Sequence, residues 1–275
     1  MSLNQIKIRS LLGGIISRFP FGLYLHQKIR GLISSEPDRR PLDFGLNVLK
    51  QRQADLDMPS YDLRGKIFLE IAPGENLSGP IAAVSLGAKK GIAIDAYDYT
   101  DFSANKKIIN LFEQKKVGKK SRRQKIRDDL SLFSKYQNSK YFSYFAPWSR
   151  SDIDESSVDL ITSLSTMEHV KDPEKLYMAA HAWLKPGGLM IHKIDFSSHG
   201  MTKDWFGHLL ISDCLFSLIE GRKTTHINRW TEAQHLSACQ KSGFVLRKRL
   251  AFPANKTAPN PYQDLPYAAT HIWQK

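Results

Sequence analysis

The sequence is poor in cysteine, in long apolar runs and in the glycine spacing that cradles dinucleotides, and each shortage excludes something. Only two cysteines, Cys214 and Cys239, occur in 275 residues, 25 positions apart and without a CxxC pattern. That argues against a disulfide framework and a structural zinc site, fits a reducing compartment, and leaves both thiols read as buried core groups. No window reaches the roughly 18 uninterrupted apolar residues that a spanning helix needs. The stretch from Ser10 to Ser17 is ended by Arg18, and no small-residue cleavage site follows, so it is not read as a secretory signal. A cytoplasmic protein is expected, with peripheral contact to an anionic membrane surface as a variant of that reading.

Charge is abundant and uneven. The formal net charge is +13, and residues 101–150 hold 13 Lys and Arg against 4 Asp and Glu. The densest part runs from Lys115 to Arg127. Such a field attracts nucleic acid, an anionic surface or a phosphorylated substrate. A solvated loop without a partner has equal weight.

Residues 1–60 read as a basic amphipathic extension, in which Leu3 to Ile33 mix Ile, Leu and Phe with Lys and Arg around Pro20. Packing on the rest of the chain is preferred there to lying on a membrane. Residues 61–275 read as one α/β domain with insertions at 101–150 and 196–228. Apolar strands are expected at 66–71, 91–95, 158–163, 189–194, 244–252 and 268–273. Helices are expected at 76–86 and at 173–184, the latter with Asp172 as cap and Pro173 at its first position. Thr231 caps a helix ending near Gly243. Alternating elements of this kind give a Rossmann-like, mostly parallel seven-stranded sheet with helices on both faces.

Ligands bind such sheets at the carboxyl ends of the strands, where the strand order reverses. Two loci should meet there: the turn Ala72-Pro73-Gly74 after the first strand, and Asp95 at the tip of the second. A carboxylate at Asp95 can accept hydrogen bonds from both hydroxyls of a ribose. Glu70 and Glu75 put negative charge where a dinucleotide pyrophosphate would sit. An acid at Glu70 instead suits an ammonium group, so the residues favour a cationic cofactor.

Leu69-Glu70-Ile71-Ala72-Pro73-Gly74 resembles the first cofactor motif of class I S-adenosylmethionine-dependent methyltransferases. Asp95, the segment from Ser157 to Asp172 with its Met167-Glu168-His169-Val170, and Trp183-Leu184-Lys185-Pro186-Gly187-Gly188 resemble later motifs of that family in order. The resemblance implies an enzyme that binds S-adenosyl-L-methionine. It also implies that Glu70, Ala72, Pro73 and Gly74 wrap the methionine part, that Asp95 and Ala96 hold the ribose, and that Leu164 and Ser165 border the cofactor. Two departures stand out: Ala72 replaces a glycine, and no adenine-side acid is evident in Phe145-Ala146-Pro147-Trp148, where Trp148 offers a ring for stacking. The stretch from His192 to His199, with Asn228-Arg229-Trp230, is similar to a subgroup associated with glycan and lipid-linked sugar biosynthesis.

A hydroxyl acceptor needs its proton removed, and histidine is the usual base near neutral pH. His199, just past the fifth strand, is the expected base, Asp195 its partner and His169 the second candidate; no metal is expected. The opposing reading makes His192 and His199 structural, and makes Asn228-Arg229 either an acceptor contact or a tie for the insertion. The function expected is O-methylation of a small-molecule, sugar or lipid-linked acceptor. An RNA methyltransferase using residues 115–127 and a non-catalytic cofactor-binding homologue are the alternatives.

Overall fold

The structure, a computed structural model, describes residues 6–21, 41–55, 62–98, 100–222, 227–252 and 265–275. The rest of the expected N-terminal segment, including Lys28 and Arg30, and the Pro-rich loop before the last strand lie outside the described residues.

Strands β1 (Ile67–Ile71), β2 (Lys90–Ile94), β3 (Phe142–Phe145), β4 (Val158–Leu164), β5 (Leu184–Asp195), β6 (Val245–Phe252) and β7 (Ala268–Gln274) form one sheet. Their spatial order is β3-β2-β1-β4-β5-β7-β6. The first five are parallel, and β7 runs antiparallel to both β5 and β6. This is the expected Rossmann-like α/β architecture. β1 is central and buried on both faces, so it reads as a continuous apolar run. Phe68 faces one core and Leu69 and Ile71 the other. The chain leaves β1 for β2 on one side and returns to β4 on the other, which opens a crevice above the tip of β1.

Helices α1 (Ile8–Ile16), α2 (Phe44–Asp55), α3 (Ser78–Ser85), α4 (Phe102–Gln114), α5 (Lys120–Tyr136), α6 (Pro173–Trp183), α7 (Asp213–Glu220) and α8 (Glu232–Lys241) pack around it. Local chemistry sets several ends. Asp172 accepts from the Lys175 amide with Pro173 at the first position of α6, and Thr231 and Gln234 form a capping box on α8. α3 begins two residues later than expected because the Asn76 carboxamide takes the Ser78 amide, an alternative to helical pairing. Lys185 to Gly188, expected as a turn before the fifth strand, lie within β5 as a shift of register against β4.

The basic stretch 101–150 folds as α4, α5 and the short strand β3, with Phe112, Phe133 and Phe142 buried. β3 supplies the seventh strand, which no apolar run had placed. Four of the eight cations between Lys115 and Arg127 are engaged internally. Lys115 pairs with Asp43, Arg122 bonds the Val84 and Ala88 carbonyls, Arg123 bonds those of Val117 and Gly118, and Arg127 pairs with Glu113.

At the amino end, α1 lies on α7. Gly14 lets the backbones touch, since a Cβ there would collide with the Leu218 and Ile219 carbonyls. Cys239 is buried as expected, but Cys214 is exposed: α7 turns Phe216 and Ile219 inward and leaves Cys214 on the outer side.

Candidate active site

Above the tips of β2, β1 and β4 lies a cleft of about 1300 Å³. Its apolar floor includes Ile71, Ile94, Ile153 and Leu176, all belonging to one of the two main cores. Ala72 and Gly74 bring the β1 turn to its edge, with φ of 53° and 74°. The left-handed region is unfavourable for a residue with a Cβ, by roughly 1–2 kcal/mol. Ser165, which follows β4, and His199, four residues after β5, share it at 47° and 45°. Non-glycine residues held there gather where a surrounding site over-determines them.

Of the residues expected to bind cofactor, Ala72, Gly74, Asp95, Ala96 and Ser165 line this cleft together. Glu70, Pro73 and Leu164 are not among its lining residues. The Glu70 carboxylate is tucked over Gly79 in the first turn of α3, in space that a Cβ would fill. The Asp95 side chain is buried and accepts from the Ala96 amide at 2.7 Å and the Tyr97 amide at 3.4 Å. A carboxylate has about four acceptor positions in all, the capacity that a pair of ribose hydroxyls calls for. Trp148 to Ser151 and Ile153 to Glu155 complete this side of the cleft, and Trp148 stands edge-on to the buried Trp183 at 5.5 Å.

These residues fit S-adenosylmethionine better than a dinucleotide. The amides at the start of α3, which would cradle a pyrophosphate, are already taken: Asn105 accepts from Leu77 and Asn76 from Ser78. A buried acid at the tip of β2 and an apolar floor suit a nucleoside.

On the other side, β4 leads into a single 3-10 turn, Met167–His169, and β5 leads to His199. The structure brings the three expected catalytic residues together and adds a fourth. His199 Nε2 is 3.7 Å from Asp195 Oδ2 and 3.8 Å from Glu168 Oε1. The His169 and His199 rings meet edge-on at 4.9 Å, and His169 lines the cleft. Glu168 is 3% exposed, and neither carboxylate oxygen has a hydrogen-bond partner among the described residues. Burial pushes its carboxyl up to about 8, opposed by the nearby backbone amides of Glu168 and Asp195, with the Asp195 charge adding to the rise. Burial also lowers His199, partly opposed by Asp195. In the sequence Glu168 stands out only as part of the Met167-Glu168-His169-Val170 motif. Its burial depends on the 3-10 turn, which only the tertiary fold creates.

Asn228 holds that turn. Its amide donates to the Glu168 carbonyl at 2.7 Å and its carboxamide to the Met167 and Val170 carbonyls at 2.7 and 2.9 Å. Arg229 bonds the Ile211 carbonyl and Asp213 and lies over the Phe216 ring. Asn228 and Arg229 therefore tie the 196–228 segment to the site. His192 is structural: fully buried, bonded to Ser163 at 2.6 Å, and pushed down to about 3 by burial above all, with the nearby His271, His235 and Arg52 adding to the effect.

Comparison with known proteins bears on the family and the fold. A search of curated protein sequences found no match. The model of a family described as a methyltransferase domain matches residues 52–248. A putative sarcosine dimethylglycine methyltransferase from Galdieria sulphuraria is 13% identical with a TM-score of 0.50, covering 84% of this chain and 86% of its own. A geranyl diphosphate C-methyltransferase from Streptomyces coelicolor A3(2) is 11% identical with a TM-score of 0.50, covering 87% and 86%. An S-adenosylmethionine-dependent methyltransferase from Mesorhizobium loti is 16% identical with a TM-score of 0.45, covering 86% and 98%. The two at 0.50 share the fold. With its family matched over most of its length, the chain belongs to the methyltransferase-domain family and is a class I, S-adenosylmethionine-dependent methyltransferase.

Proposed function

We propose that the enzyme methylates a hydroxyl of a small-molecule, sugar or lipid-linked acceptor. The observation that carries this reading is the polar corner of Glu168, His199 and Asp195, joined to the cleft through His169. S-adenosylmethionine, when bound, supplies an electrophilic methyl on a sulfonium. Ala72 and Gly74 would hold its methionine part, Asp95 its ribose hydroxyls and Trp148 its base. A hydroxyl must lose its proton as its oxygen takes the methyl, and His199 with Asp195 is placed to act on that proton. The test is transfer of labelled methyl to a panel of hydroxyl, amine and carbon acceptors. Transfer confined to amines or carbon would sink the reading.

The amino-terminal end supports an acceptor at an anionic membrane surface. No described helix is long and apolar enough to cross a membrane. Yet Ile8 and Leu12 on the outer side of α1, with Phe19 and Phe21, are 74%, 51%, 64% and 87% exposed beside Lys7, Arg9 and Arg18. Apolar side chains flanked by cations lie readily on anionic lipid. Sedimentation with phosphatidylserine vesicles, against neutral ones and against Phe19→Ala/Phe21→Ala, tests it. Equal recovery in every arm would remove the membrane from the proposal.

RNA as acceptor has less support. Half of the 115–127 cations are spent inside the fold, and α4 and α5 contribute no lining residue to the cleft. Filter binding of RNA across a salt series would reveal an interaction of the phosphate-neutralising kind.

A further inference from the structure

We infer that Glu168, His169 and His199 form a site for a first-row divalent cation. One ligand atom from each lies within 4.8 Å of the others. Glu168 is the second, independent sign. It is a buried carboxylate with neither oxygen hydrogen-bonded among the described residues, aimed at the two imidazoles. A buried polar group in that condition is costly unless something pairs with it, and a cation would satisfy both oxygens at once.

The donor set has the right character. Two imidazoles and a carboxylate suit Mn²⁺, Co²⁺ or Zn²⁺ better than Mg²⁺ or Ca²⁺, which prefer oxygen alone. Metal–ligand bonds of about 2.0–2.2 Å place neighbouring donors roughly 3–3.5 Å apart. The 3.8 Å between Glu168 Oε1 and His199 Nε2 therefore needs a contraction of a few tenths of an ångström. Asp195, 3.7 Å from the same nitrogen, adds a further oxygen nearby. The three hydrogen bonds from Asn228 hold the turn that carries two of the donors, the kind of support that fixes ligand orientation.

Three protein ligands leave coordination positions open. An acceptor hydroxyl could occupy one, and a divalent cation there weakens its O–H bond so that the proton leaves to water. His199 would then act on the proton through the cation instead of by taking it up. This catalytic role rests on the hydroxyl-acceptor reading, whereas the cation site does not.

The experiment uses the full chain stripped of metal by chelator and titrated with Co²⁺, followed by visible absorption and calorimetry. One Co²⁺ per chain is expected, with a spectrum of nitrogen and oxygen ligation. Glu168→Gln, His169→Gln and His199→Gln should each weaken binding at least tenfold, and Asp95→Asn should leave it unchanged. Circular dichroism checks that each variant is folded, and His169 and His199, both less buried than Glu168, keep the test open should Glu168→Gln unfold. Absence of Co²⁺ binding to the wild type, or equal binding to all three variants, overturns the site. Co²⁺ binding without methyl transfer to any hydroxyl supports the site and removes the acceptor reading. Hydroxyl transfer unchanged by chelator, with no bound Co²⁺, does the reverse.

Discussion

Glu232 and Glu168 are both buried glutamates beside a histidine, and their surroundings could hardly differ more. Glu232 receives both arms of Arg249 at 2.7 Å and His271 Nε2 at 2.8 Å. Burial alone would raise its carboxyl, but those partners hold it down at about 2. Glu168 has His199 no nearer than 3.8 Å, and burial holds it up at about 8. The first glutamate is a brace between α8, β6 and β7. The second stores unfavourable energy in the corner of the cleft, where a folding argument alone has no use for it. Buried groups tuned away from their ordinary range cluster at working sites.

The largest effect should come from the working corner. His199→Ala is expected to lower turnover by about a hundredfold or more, the usual scale for a group that handles a proton. Calorimetry should show S-adenosylmethionine affinity unchanged. Unaltered turnover would take His199 out of the mechanism and leave the two glutamates different in environment only.

Stability should separate them next. Glu232→Gln leaves Arg249 and His271 without a charged partner and should cost about 2–3 kcal/mol in urea denaturation, since breaking a buried pair is expensive. Glu168→Gln replaces a carboxyl that burial holds up at about 8 with a neutral amide of similar shape and should cost at most about 1 kcal/mol at neutral pH, while activity falls. Equal losses in both variants would erase the distinction.

The pH profile sharpens the comparison on the bracing side. Burial sets His192 and His235 at about 3, so in acid the unfolded chain binds protons that the folded one refuses. Glu232 at about 2 works in the same direction against an ordinary value of 4.5. Stability from these groups is complete above the ordinary histidine value of about 6.5 and is lost as pH falls from there toward 2–3. Denaturation midpoints measured from neutral pH to about pH 4 should fall steadily, and a flat profile would contradict the burial of the histidines.

The smallest effect belongs to the turn after β1. Ala72→Gly relieves a left-handed alanine but gives the unfolded chain more freedom, so the net gain should stay below about 1 kcal/mol. Its effect on S-adenosylmethionine affinity should be within a few-fold. A tenfold gain would show that the Ala72 methyl obstructs the cofactor.

Much of this was legible in the residues. The apolar runs around Ile67–Ile71, Val158–Leu164 and Ala268–Gln274 have no polar face, so only a strand buried on both sides accommodates them. Asp172 and Thr231 mark helix starts because each side chain accepts from a local, otherwise unsatisfied amide, and Pro173 does so because it has no amide to satisfy. β3 escaped notice because four residues within a basic stretch carry too little period to detect. Asp95 and the Ala72–Gly74 turn were readable for the same local reason, lying at strand ends where the chain must bend.

Sequence by itself therefore determined six of the seven strands, the caps of α6 and α8 and the strand-end loci that meet at the cleft, because those depend on neighbours a few positions apart. Tertiary structure alone decided the rest. It drew Glu168 beside His199 from the ends of neighbouring strands, hid the Glu70 carboxylate against Gly79, spent half of the 115–127 cations on carbonyls and carboxylates, and set Asn228 under the Met167–His169 turn. Burial and pairing are properties of what the folded chain brings near a group. A charge's solvation changes with them even though its place in the sequence does not.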